Sequence, residues 1–178
     1  MTDPQKALRD MKRVRVVNKY TFPLSILLVV LGLALAQPMG MVRYASVGLL
    51  AFSVLFNFLS VQLIRQESGR SLRLTRIYGN FAVNVALVYL LGQFWTPMWL
   101  ILVLAPVSTA IYGSRRRTIV ASTQASAAIL VIHVFRRQNS PLEWGEQFAC
   151  VLFIFILSLL INESMSAGDP SAAQAVQG

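Results

Sequence analysis

The sequence is poor in the residues that most enzymes and secreted domains use. It has 1 cysteine, 1 histidine and 7 acidic residues in 178 positions. The single cysteine, Cys150, excludes an internal disulfide. Its place inside an apolar run indicates a buried structural thiol, with a redox centre as the alternative. The acidic residues avoid the centres of the apolar runs, so the deep carboxylate on which proton-coupled transport usually depends is missing from the sequence.

Catalytic and nucleotide-binding patterns are also missing. The sequence has no glycine-rich phosphate loop, no Cys/His spacing typical of a metal site and no nucleophile near a base. We therefore expect a protein that is not an enzyme and holds no metal. No soluble stretch is long enough to carry a groove-binding element, which excludes nucleic acid as a partner.

Long apolar runs dominate what remains, since hydrophobic residues make up 56% of the chain and charged residues 13%. Six runs are each about long enough to cross a bilayer, because ~18 helical residues cover ~27 Å. They are residues 20–36, 44–64, 77–94, 97–112, 118–135 and 145–162. The predicted fold class is all-α, a polytopic membrane protein with six transmembrane helices.

Basic residues alternate between the two sets of loops and predict the orientation. The segment before the first run and the loops after the second and fourth runs hold 13 of the 16 Lys and Arg residues. Short loops rich in Lys and Arg stay in the cytoplasm. We expect both termini in the cytoplasm and the protein in a bacterial inner membrane. The net charge of +9 also favours anionic lipid headgroups as partners.

The parts outside the membrane are short. Residues 1–19 form a basic head whose apolar positions recur at helical spacing, which predicts an amphipathic helix on the cytoplasmic leaflet or, alternatively, a solvated leader. The uncleaved first run, 20–36, starts the transmembrane domain 20–162. Residues 163–178 are small and polar, and we expect a flexible cytoplasmic tail.

Uncharged polar residues recur along single sides of the runs. The second run carries Ser46, Ser53, Asn57 and Ser60, the third carries Asn80 and Asn84, and the fifth carries Ser122, Gln124 and Ser126 beside several alanines. Helix packing explains such seams, because small and hydroxyl residues permit close approach; a polar pore is the alternative. His133, near the outer end of the fifth run, is either a packing residue or a contact for a ligand or proton.

A very short external turn, residues 92–99, is the most specific local feature. Gly92 is suited to end one helix and Pro97 to begin the next, which predicts an antiparallel hairpin. Its aromatic residues fit an interfacial belt. They equally fit a flat pocket for a quinone headgroup or a lipid. The candidate contacts for such a ligand are Gln93, Phe94, Trp95, Thr96, Pro97, Trp99 and His133.

The turn resembles the one that marks the membrane domain of RegB-type redox-responsive sensor histidine kinases. There, a motif Gly-Gly-x-x-Asn-Pro-Phe joins the third and fourth of six helices, and Gly92 and Pro97 match it here. The run 99–106 and the basic turn 114–117 are also similar to sensor domains of bacterial kinases. The resemblance covers roughly residues 10–162 and implies a six-helix quinone-sensing input domain.

Residues 163–178 are too few for the dimerising helices and ATP-binding domain of a kinase, so we expect no phosphorylating activity. The leading hypothesis is a sensor-like domain or an accessory subunit, associated with other membrane subunits or with itself, with a quinone or lipid near the 92–99 turn. A small-solute channel or carrier is the alternative.

Overall fold

The computed structural model describes residues 4–66, 70–136 and 140–167. In these ranges the chain forms six α-helices and one short 3-10 helix, and no strand. The helices are α1 Pro4–Ala36, α2 Met41–Gln66, α3 Arg70–Leu91, α4 Leu100–Tyr112, α5 Arg115–Phe135 and α6 Pro141–Ala167, with the 3-10 helix Thr96–Trp99 directly before α4. The predicted all-α class is confirmed.

Four helices are long and apolar enough to cross a membrane. Their apolar stretches are Lys19–Ala36 in α1, Met41–Ser60 in α2, Arg115–Phe135 in α5 and Pro141–Ser166 in α6. A further apolar segment, Thr96–Ile111, is shorter. The chain is therefore a helical membrane protein, and the count of six spans stays a prediction.

Every helix except α4, which begins at Leu100 rather than at residue 97, begins before its predicted apolar run. α3 begins at Arg70 rather than at residue 77, and α5 begins at Arg115 rather than at residue 118. Hydropathy reports only the part of a helix that fits the hydrocarbon, whereas backbone hydrogen bonding continues until a residue breaks it. The basic residues expected in loops, such as Arg116, therefore form the first turns of helices.

α1 joins the predicted head and the first run in one helix. It begins at Pro4 and continues to Ala36 without a break near Tyr20. Residues 5–22 contain neither Gly nor Pro, so the chain carries no helix-ending signal there. Pro23 lies inside α1 and is the residue after which the chain divides into two compact units.

The first unit, called the α2–α3 unit, comprises Leu24–Leu102. In it α2 packs against α3. Its buried apolar side chains are Val29, Val83, Leu87, Val88, Leu91, Met98, Ile101 and Leu102. The two helices approach closely where Phe56 faces Gly79, because a Cβ on Gly79 would lie 2.9 Å from Phe56 Cζ. A glycine there leaves room for the ring.

The second unit, called the α5–α6 unit, comprises the described residues from Val103 onward together with α1 up to Pro23. α5 packs against α6, and the few residues that join them make the pair antiparallel. The buried apolar side chains include Val103, Ala110, Ala125, Ile129, Ile132 and Ile154.

Asn162 connects α6 to the end of α4. Its Nδ2 donates to the carbonyl oxygens of Ala110 and Gly113, at 3.0 and 3.1 Å. The last carbonyls of a helix have no partner within the helix. Asn162, which is 5% exposed, therefore caps α4 from a neighbouring helix.

α6 begins with a capping box. The Ser140 N–H donates to Glu143 Oε2 and the Glu143 N–H donates to Ser140 Oγ, both at 3.2 Å, which satisfies two amides that the first turn leaves unpaired. The helix ends at Ala167, so residues 163–167 of the predicted tail are helical. The rest of that tail, 168–178, lies outside the described residues.

Candidate functional site

The 92–99 turn is built from hydrogen bonds onto the end of α3. Gly92 N–H donates to Val88 O at 2.9 Å, and the N–H groups of Phe94 and Trp95 both donate to Leu91 O, at 2.9 and 3.0 Å. Because Pro97 has no N–H, it fits the first turn of the 3-10 helix that follows. Gly92 directly follows α3 and Pro97 lies in the first turn of the 3-10 helix. The antiparallel hairpin of α3 and α4 stays a prediction.

Trp95 points into the α2–α3 unit. A Cβ on Gly32 of α1 would lie 3.1 Å from Trp95 Cε3 and 3.5 Å from Met98 Sδ. Met98 and Leu91 are fully buried, each 0% exposed. The half-buried indole therefore packs closely on the backbone of α1, and a side chain at position 32 would press on the ring.

The other predicted residues of the turn divide between surface and interior. Gln93, Phe94, Thr96 and Pro97 are exposed, and Trp99 is half-buried. Gln93 Nε2 donates to Leu90 O at 3.5 Å, the outer limit for such a bond. Of the three aromatic residues in the turn, only Phe94 is exposed, while Trp95 and Trp99 are half-buried. The Thr96 hydroxyl and the Gln93 amide are close to Phe94 in sequence.

His133, the remaining predicted contact, belongs to the α5–α6 unit. Its ring meets Trp144 of α6 edge to face, with ring centroids 4.4 Å apart and an interplanar angle of 78°. The Trp144 ring is also 5.9 Å from that of Phe148. His133 is 2% exposed, and neither ring nitrogen has a hydrogen-bond partner among the described residues.

Three serines of the same unit are also buried. The hydroxyls of Ser122, Ser126 and Ser158 have no hydrogen-bond partner in the described part of the chain. Ser122, Ser126 and His133 are spaced by four and seven residues, which places them on one side of α5. Folded proteins leave few buried polar groups unpaired. Hydroxyl and imidazole groups of this kind can hydrogen-bond a small uncharged polar molecule.

A separate cluster of polar side chains joins α2 to α3. Asn57 and Asn80 exchange hydrogen bonds from Nδ2 to Oδ1, each 2.9 Å long. Arg76 Nε also donates to Asn57 Oδ1, at 3.4 Å. The predicted packing role of the polar seam is confirmed for this asparagine pair. Asn84, one turn further along α3, is half-buried.

Sequence reasoning missed the residues that complete these clusters. Gly32 and Met98 receive the Trp95 ring, and Trp144 receives His133. A glycine in a membrane helix often marks a point where another part of the chain packs closely. The role of Gly32 could therefore have been predicted. The pairing of Trp144 with His133 depends on the register between two helices, which no local pattern contains.

Comparison of the chain with family models, curated proteins and solved structures gives no match. The similarity to RegB-type sensor domains therefore stays a prediction from the turn and the segments beside it. Fold and composition define the class, a helical membrane protein with at least four apolar helices of spanning length.

Proposed function

We propose that the chain is a non-catalytic, six-span protein of a bacterial inner membrane that acts as a sensor-like domain or accessory subunit of a larger membrane complex. Both termini are cytoplasmic in this proposal, because 13 of the 16 basic residues fall on one side of the predicted topology. The function is association with another membrane subunit or with a second copy.

The outward face of α6 is the observation that carries this proposal. Gly145, Ala149, Leu152, Ile156 and Leu160 recur every three or four residues and are all exposed. No described atom lies within 4 Å of a Cβ built on Gly145. Small residues four apart let another membrane helix approach closely, and the leucines and isoleucine beyond them add van der Waals contact.

The test is a steric block on this face. Ala149→Leu fills the small-residue notch without adding charge, and Ala127→Leu makes the same change at an exposed position of α5. After in-membrane crosslinking and mild detergent extraction, Ala149→Leu is expected to lose the crosslinked companion, whether a different subunit or a second copy. Equal crosslinking in both variants, or a wild-type chain that always runs alone, rejects the proposal.

A quinone or lipid at the 92–99 turn is the ligand proposed within this function. Thr96 and Phe94, two positions apart in the sequence and both exposed, support it, since a hydroxyl can hydrogen-bond a carbonyl and an aromatic ring can cover another ring. Thr96→Val removes the hydroxyl with little change of shape. Thr123→Val is the control at an exposed threonine of α5. Quinone extracted per protein should fall only in Thr96→Val, and a wild-type protein without quinone ends this part of the proposal.

The unpaired polar groups of the α5–α6 unit favour a second candidate, a carrier or channel for a small uncharged solute. Ser122, Ser126, Ser158 and His133 supply hydrogen-bond donors and acceptors at 0–5% exposure. In liposomes, the protein would speed glycerol entry, and Ser126→Ala combined with His133→Phe would abolish the gain. Flux equal to that of empty liposomes rejects this candidate and leaves the subunit proposal untouched.

A further inference from the structure

We infer that Arg76, held in place by the Asn57–Asn80 pair, binds the phosphate of an anionic membrane phospholipid. The residues involved differ from those of the 92–99 turn and of the α6 face. The inference therefore stands or falls independently of the proposed function.

The asparagine pair fixes the guanidinium. Asn57 is 9% exposed, and its Nδ2 donates both to Ser53 O and to Asn80 Oδ1, each at 2.9 Å. Its Oδ1 accepts from Asn80 Nδ2 at 2.9 Å and from Arg76 Nε at 3.4 Å. A side-chain amide has two N–H donors and two lone pairs on oxygen. All four are used here, so the amide has a single orientation and Arg76 a fixed point of attachment.

Arg76 has further donors beyond its contact with Asn57. A guanidinium carries five N–H groups, and the contact with Asn57 uses the one on Nε. The four on the two Nη atoms lie at the far end of the half-buried side chain, beyond the contact with Asn57. A planar fork of this kind fits two oxygens of a phosphate in a bidentate contact.

The depth of the cluster indicates a headgroup as the source of the anion. The apolar stretch of α2 ends at Ser60, and Asn57 lies one turn before it, ~4.5 Å along the axis. An arginine attached there sits just inside the hydrocarbon boundary, where an uncompensated charge is costly. A long basic side chain at this level reaches outward to the headgroups.

The α2–α3 unit carries an excess of positive charge near this cluster. Between Leu24 and Leu102 the sequence has five arginines, at positions 43, 65, 70, 73 and 76, and one acidic residue, Glu67. Four of these arginines cluster around the connection between α2 and α3. A local excess of positive charge next to a membrane attracts anionic lipids.

The experiment counts phosphatidylglycerol molecules bound to the purified, delipidated full chain by native mass spectrometry. Arg76→Gln should weaken binding of the first lipid about tenfold, the loss expected for one charge-assisted bidentate contact. Arg76→Lys keeps the charge and the fold but not the fork, and should give an intermediate loss. Arg116→Gln removes the same charge from an exposed position of α5 and should leave the first site unchanged.

Three results would overturn the inference. Equal losses in Arg76→Gln and Arg116→Gln mean that lipid binds through general surface charge. Full lipid affinity in Arg76→Lys and Arg76→Gln means that Arg76 serves only the contact between α2 and α3, or a carboxylate of another protein. Displacement of the lipid by inorganic phosphate assigns the site to a free phosphate ion instead.

Discussion

Asn57 and Asn80 face each other across α2 and α3 and exchange two hydrogen bonds of 2.9 Å. Each amide therefore satisfies a donor and an acceptor of the other. The pair also sets the register of the two helices, because a slide of one turn would separate the amides by ~5.4 Å.

Removing one member of this pair should destabilise the α2–α3 unit. We expect Asn80→Ala to cost about 1 kcal/mol of unfolding free energy, since interhelical hydrogen bonds in membranes contribute about 0.6 kcal/mol on average and at most about 1.7. A double-mutant cycle with Asn57→Ala should give a coupling of the same size. Asn84→Ala is the matched control, and a cycle with zero coupling would contradict the role of the pair.

The contact between Gly32 and Trp95 predicts a steric effect. Gly32→Ala places a Cβ 3.1 Å from Trp95 Cε3, and we expect a loss of about 1–3 kcal/mol because the half-buried indole must shift. Gly48 in α2 has no described atom within 4 Å of such a Cβ. Gly48→Ala should therefore be neutral or stabilise by up to about 1 kcal/mol. Thermal unfolding in detergent measures both, and equal effects would show that Trp95 does not pack tightly on α1.

Asn162 is expected to be the most sensitive polar position of the α5–α6 unit. Asn162→Ala removes both hydrogen bonds to the end of α4 and leaves two carbonyls without a side-chain partner, a loss of about 1–3 kcal/mol. Glu163→Ala, the neighbouring exposed residue, should leave stability unchanged. The two variants compared by thermal unfolding separate the cap from a general effect of charge or helix propensity.

The predicted orientation is testable at two exposed positions. In a Cys150→Ala background, Met39→Cys lies between α1 and α2 at 89% exposure, on the side predicted to be external. Ser114→Cys lies between α4 and α5, on the side predicted to be cytoplasmic. In intact cells a membrane-impermeant thiol reagent should label position 39 and not 114, and the reverse pattern would invert the topology.

Several features were predictable because they depend on local chemistry. The apolar runs identify the membrane helices, since each must satisfy its backbone hydrogen bonds within itself. Gly92 and Pro97 identify the turn between α3 and the 3-10 helix, because glycine readily ends a helix and proline fits the first turn of one. The polar seams of α2 and α3 identify Asn57 and Asn80 as interfacial without saying which amide meets which.

Other features could not be predicted from local signals. Trp95 looked like a member of an aromatic belt, yet it packs against Gly32, more than sixty residues earlier in the chain. His133 was grouped with the 92–99 turn, whereas the partner that its ring meets is Trp144. In each case the contact depends on which helices are neighbours and in what register, and side-chain identity alone leaves both open.

The sequence by itself determined the class of this protein. Hydrophobic runs, scarce carboxylates and the predicted one-sided basic loops act through the hydropathy and charge of each residue, which do not depend on tertiary contacts. Only the tertiary structure decided which polar side chains are satisfied. It pairs Asn57 with Asn80 and attaches Arg76 to them, caps α4 with Asn162, and leaves His133 with three buried serines unpaired among the described residues. The physical reason is that a hydrogen bond between helices requires two atoms within about 3 Å, a condition set by packing rather than by composition.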